Sequence, residues 1–219
     1  MITFEQVKNN AEIQAYIKKA DESLSSMGFT EHSFAHVGFV AEKAGEILAE
    51  LGYSDREIEL AKMAGYLHDI GNVINRIDHA QSGAIMAFRI LDKMGMAHDE
   101  IATIITAIGN HDESTAFAVN PVAAALILAD KTDVRWTRVR NEDKATFDIH
   151  DSVNFSVKKS TTVIRKEEQV IELLLEIDTQ NCSVMDYFEI FLGRMILCKK
   201  AAEKLEQKFW ITINNQRLL

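Results

Sequence analysis

A chain of 219 residues, 47% of them apolar, can bury a sizeable core and is too apolar to belong among disordered proteins. Its 33 acidic against 24 basic side chains leave a formal net charge of −9. That excludes a general nucleic-acid or membrane-surface binder, whose affinity needs a basic face.

Thr3 and Gln6 form a capping box that opens a helix reaching about Ser26, with Gly28 beyond its end. The start resembles no signal peptide, and no apolar run approaches the ~20 residues of a membrane span, so the expected location is the cytoplasm. Thr30 caps a second helix to about Leu51, stopped by Gly52. Ser54 and Glu57 make a second capping box for a helix carrying Ile58, Leu60, Ala61, Ala64 and Leu67, which breaks at Gly71. Asp78 caps a fourth helix ending before Gly95, and a fifth covers about 99–108. Asn120 before Pro121 starts a sixth, because proline suits the first helical position.

The texture changes after about Arg140. Residues 143–165 alternate partly, through Val153, Phe155 and Val157, and 169–178 is a continuous apolar run. Both are read as strands with a turn at 166–168, although the continuous run also fits a helix. Ser183 caps a long helix to about Gln207, and 208–214 is a last strand, alternating at Phe209, Ile211 and Ile213. The apolar face of the long helix (Tyr187, Phe188, Phe191, Leu192, Ile196) suits either packing on its own strands or a homo-oligomer. Cys182 and Cys198 form no C-x-x-C pair and are read as reduced thiols near this core. The expected organisation is a helical domain over 1–140 and a small α+β extension over 141–219.

Of seven histidines, the informative one is in His68-Asp69, where an apolar helix face runs into two polar metal-ligand types and then Gly71. A buried imidazole and carboxylate need partners, and a divalent cation satisfies both. His36 precedes this doublet, and Asp130 follows in Ala-Asp-Lys-Thr-Asp, ending at Asp133. With these residues in this order, the chain resembles the HD superfamily of metal-dependent phosphohydrolases over about residues 30–140. The resemblance implies an HD-type helical bundle, mostly α, whose metal ligands are His36, His68, Asp69 and Asp130. His79 and His111 fall where dinuclear members place further ligands, with Asp69 as the bridge. The alternative is a single ion with these two histidines binding phosphate or acting as acids. Nitrogen and oxygen ligands without sulfur favour Mn, Fe, Co, Ni or Zn. Two positions depart from the family. Asn72 stands where a lysine is common, and Asp112 where some subfamilies have a second histidine, which argues against the cyclic-dinucleotide branch.

His32 shares a helix face with His36, but Ser33 rules out a His-Glu-x-x-His motif, so His32 is read as a supporting or exposed residue. His98 and His150 are read as surface or structural. Lys131, Arg135 and Arg138 are spaced i, i+4, i+7 and share one face if the helix continues past Asp130. That face either binds a substrate phosphate through Arg135 and Arg138 or is a solvated helix end. Trp136 amid them either packs or stacks a base.

The resemblance implies a metal-activated water attacking a nucleotide or related small phosphoester. Asp69 would orient the nucleophile, and His79, His111 and Lys131 are candidates to serve the leaving oxygen. Two alternatives stand beside it: a dinuclear-iron oxygenase with the same ligand order, and a regulatory module in which the metal only holds the bundle together.

Overall fold

In the computed structural model, which describes residues 1–218 apart from 142, 144 and 145, the first predicted helix is two. Asn10 divides them: its side chain accepts from the N–H groups of Glu12 and Ile13 and so starts α2 (Ala11–Ser26) after α1 (Phe4–Lys8). The next helix, α3 (Phe34–Glu50), begins later than Thr30, because Ser33 accepts from Ala35 N–H and is the N-cap. The Ser54–Glu57 capping box forms at the start of α4 (Asp55–Leu67), followed by a short 3-10 turn, Ile70–Val73. Then come α5 (His79–Lys93), α6 (His98–Gly109) and α7 (Pro121–Lys131). Helix α7 is the axis of the bundle: every residue from Val122 to Ala129 is buried, so it is apolar all round.

Two glycines let the site-bearing segments approach closely. A Cβ on Gly65 would sit 2.8 Å from Ala41 Cα, so α4 crosses α3 almost backbone to backbone. A Cβ on Gly71 would sit 2.0 Å from His79 O, so the 3-10 turn presses on the start of α5. These contacts bring His36, His68-Asp69 and His79 together.

Beyond Arg140 the structure departs from the expected strand over 143–165. Residues 144 and 145 lie outside the described ones. Val153 and Phe155 belong to helix α8 (Ile149–Ser156), capped by Asp148. The spacing of Val153 and Val157 suits a helix face as well as a strand face, and the Asp148 cap decides for the helix. Strand pairing starts at Val157, in β1 (Val157–Arg165), antiparallel to β2 (Val170–Ile177). Helix α9 (Val184–Lys204) crosses back to β3 (Lys208–Ile213), parallel to β2, and β4 (Gln216–Arg217) completes the order β1-β2-β3-β4. The protein is therefore mostly α with a small sheet, not all-α. Tyr187, Phe191 and Cys198 of α9 and Leu173 and Ile211 of the sheet share one apolar core with α7. Ser160 and Thr162 of β1 bond to Thr132, just past the end of α7. Among the described residues no helix is long and apolar enough to cross a membrane.

Candidate metal centre

His36 lies in the first turn of α3 and is wholly buried, as is His68 at the end of α4. His36 Nδ1–H donates to Asp133 Oδ2 (2.8 Å), and His68 Nδ1–H donates to Gly65 O (2.8 Å). Those bonds fix the tautomers, leaving a lone pair on each Nε2. The two Nε2 atoms have no hydrogen-bond partner. They face carboxylate oxygens instead: His36 Nε2 is 3.6 Å from Asp69 Oδ2 and 3.4 Å from Asp130 Oδ1, and His68 Nε2 is 3.1 and 3.7 Å from the same atoms. Two orphaned imidazole nitrogens facing two carboxylate oxygens form a cage of lone pairs, so this donor set fits a divalent cation.

His79 and His111 complete the floor. Each donates Nδ1–H to a backbone carbonyl, His79 to Arg76 (3.0 Å) and His111 to Ile108 (2.6 Å). His79 Nε2 lies 3.4 Å from Asp69 Oδ1, so the two Asp69 oxygens face different histidines. Burial pushes His111 down to about 3, chiefly through loss of solvent. Asp133 is held down to about 2: burial opposes its charge, and the bonds from His36 and Arg135 overcome this.

The predicted basic face does not form. Helix α7 ends at Lys131, where Thr132 turns its hydroxyl back to Leu128 O (2.6 Å) and the chain bends to aim Asp133 at His36. Arg135 is spent on Asp133, with Nε at 2.5 Å and Nη2 at 3.0 Å, and lies over the Phe39 ring. Arg138 is buried. Its Nε and Nη2 donate to Glu31 O, and its Nη1 donates to Asp133 O. Lys131 Nζ stands 2.6 Å from Asp130 Oδ2. Trp136 is half exposed in a short 3-10 turn.

These groups open into a cavity of about 410 Å³. Asp69, His79, His111, Asp130, Lys131 and Arg138 line it; Arg135 does not. His32 also lines it, with its ring centroid 5.4 Å from that of His36. His150, read as a surface or structural residue, lines the wall from α8 with Asn154, and Phe191 and Arg194 reach in from α9. His98 is exposed beside Asp92, as expected. Asp133, Arg76 and the α8 and α9 wall went unassigned from sequence. Only Asp133 carried a signal, through its spacing from Asp130.

The HD domain family model matches residues 33–135. An uncharacterized protein of Methanocaldococcus jannaschii is 23% identical over 179 residues, 71% of this chain and 69% of that one. Ribonuclease Y of Latilactobacillus sakei is 37% identical over 89 residues, and that of Oceanobacillus iheyensis 33% over 100. The matched segments span 16% and 18% of those two proteins, and 39% and 44% of this chain. A solved structure, a predicted HD superfamily hydrolase from an uncultured Thermotogales bacterium, is 27% identical, covers 57% of this chain and 67% of its own, and superposes with a TM-score of 0.45. His36, His68-Asp69, His79, His111 and Asp130 all fall inside residues 33–135, the segment that matches the HD domain family model.

Proposed function

We propose that the protein hydrolyses a small phosphoester, with a nucleotide the best candidate, using a divalent transition metal held by His36, His68, Asp69 and Asp130. One observation carries this reading: the buried Nε2 atoms of His36 and His68 have no hydrogen-bond partner and face two carboxylate oxygens. A bound divalent ion would supply Lewis acidity at a phosphoryl oxygen and at water.

The chain's own groups do the rest. Asp133 fixes the His36 ring and its tautomer, and the Gly65 carbonyl does the same for His68. Asp69, which lines the cavity and turns its Oδ1 toward His79, would orient an attacking water. Lys131, His79 and His111 line the cavity; Lys131 is the group available to neutralise or protonate a leaving oxygen, while the two imidazoles, with Nδ1–H given to backbone carbonyls, can only accept at Nε2. A cavity of about 410 Å³ suits a small molecule, and Phe29 and Phe191 give it aromatic surface. In this reading residues 1–140 carry the metal ligands, and residues 141–219 wall the cavity through α8 and α9.

The test is elemental analysis of the purified protein. A screen of nucleotides, simple phosphoesters and short RNA would follow, with Mn or Co under anaerobic conditions. Phosphate release from a small ester is the expected result. Turnover of RNA alone would move the substrate class. An iron form that consumes dioxygen while no phosphoester turns over would overturn the reading.

A further inference from the structure

The two halves of the centre are built differently. Around His36 and His68 the buried Nε2 atoms meet no donor. On the other side, His79 Nε2 and His111 Nε2 lie 3.3 Å apart, and both rings give their Nδ1–H to backbone carbonyls. Both Nε2 atoms therefore carry lone pairs, which repel at that distance unless a positive group stands with them. One does. Arg76 Nη1 is 3.2 Å from His79 Nε2, 3.3 Å from Asn72 Oδ1 and 3.9 Å from Asp69 Oδ1.

We propose that the Arg76 guanidinium takes the second cation position of this centre. The chain then binds one divalent ion, and His79 accepts from Arg76 instead of ligating metal. The inference rests on the metal site proposed above and specifies its stoichiometry.

Asn72 is the adaptor. It is wholly buried, and its Nδ2 donates to Asp69 Oδ1 (2.8 Å), which leaves its Oδ1 to accept from Arg76. A lysine at this position could donate to Asp69 but could not accept from a guanidinium. Asn72, which can donate and accept at once, is thus what a neighbouring arginine requires. Arg76 itself is tethered: its carbonyl orients the His79 ring at Nδ1 while its side chain folds back to Nε2 of the same ring. Asn75 stabilises the intervening turn by accepting from Ile77 N–H (2.9 Å), and Phe29 lies over the guanidinium with its ring centroid 5.8 Å away.

Charge favours the same assignment. Three carboxylates, Asp69, Asp112 and Asp130, surround the floor, against two cations, Lys131 and Arg76. One divalent ion turns that balance slightly positive, which suits an anionic phosphate. A second would crowd excess positive charge beside a guanidinium 3.2 Å from the imidazole it needs as a ligand. Nη1 is engaged, but the described residues supply no hydrogen bond to Nε and Nη2, whose fork matches a phosphoryl group.

The test is manganese stoichiometry. The intact protein is saturated with Mn²⁺, freed of excess by gel filtration, and assayed by elemental analysis and electron paramagnetic resonance. The wild-type chain should hold one ion with the spectrum of an isolated Mn²⁺. His79→Ala should hold one as well, and Arg76→Met should rise from one to two. Circular dichroism establishes that each variant is folded. Two ions in the wild type, or a spin-coupled pair, overturns the proposal, and so does an ion lost from His79→Ala or an Arg76→Met variant that stays at one. A wild-type chain that binds no ion overturns the metal site itself, a distinguishable failure.

Discussion

Asp133→Asn isolates a residue that touches no substrate and yet sets the state of a proposed ligand. Asp133 accepts through both oxygens: Oδ2 from His36 Nδ1–H (2.8 Å) and Arg135 Nη2 (3.0 Å), Oδ1 from Arg135 Nε (2.5 Å). An amide presents an NH₂ in place of one oxygen, so whichever way it turns, a donor faces a donor. With NH₂ toward His36, the imidazole must become an acceptor at Nδ1 and carry its proton on Nε2, where it cannot bind metal. With NH₂ toward Arg135 Nε, the His36 contact survives but loses its charge. Removing such a supporting partner lowers metal affinity by about 10–100-fold, or about 1.4–2.7 kcal/mol. The variant also leaves Arg138, buried beside Asp133, without its nearest carboxylate, which lowers stability by a further ~1–3 kcal/mol. The assay is calorimetric titration of the metal-free protein with Mn²⁺, alongside urea unfolding of the same sample. If the variant binds Mn²⁺ within twofold of wild type, the reasoning that Asp133 sets the His36 tautomer is refuted.

Metal should stabilise the fold, because the unpartnered His36 and His68 nitrogens gain a ligand only in the folded chain. At a hundredfold excess over Kd the gain is about 2.7 kcal/mol, which for a chain of this size raises Tm by roughly 5–11 °C; a chelator that leaves Tm unmoved speaks against the site. Gly71→Ala puts a Cβ against His79 O and Gly83 N, both backbone atoms that cannot rotate away, and should lower stability by about 1–3 kcal/mol or more. Unchanged urea midpoints would show that the turn and α5 can separate freely. In the sheet, burial raises the Glu172 carboxyl, but hydrogen bonds from Thr212 and Arg165 outweigh this and hold it below the usual glutamate value. A depressed carboxyl stabilises the fold above its unfolded pKa of about 4.3, and that contribution fades as pH falls through the lower folded value. Glu172→Gln should therefore be less stable than wild type at neutral pH, with the gap closing in acid; parallel pH profiles would contradict this sign.

The proposed ligand order, the caps of α4, α7 and α9, and the apolar α7 were legible because each depends on residues a few positions apart. A capping box spans four residues, and the run from Val122 to Ala129 states its own burial. The split between α1 and α2 and the α8 helix were misread for the converse reason: local patterns fitted two structures, and the Asn10 and Asp148 side chains chose between them. What the tertiary structure alone decided involves partners far apart in the chain. Asp133 meets His36 across 97 residues, Arg138 reaches Glu31 across 107, and α8 and α9 bring His150 and Arg194 to a cavity whose floor lies in residues 69–131. The end of α7 at Lys131 belongs with these: spacing alone allowed the helix to continue, but the chain bends where Asp133 reaches His36. Hydrophobic periodicity reports which face of a segment is buried, not which polar groups on other segments will need its charge. That need is set by desolvation once the segments have packed.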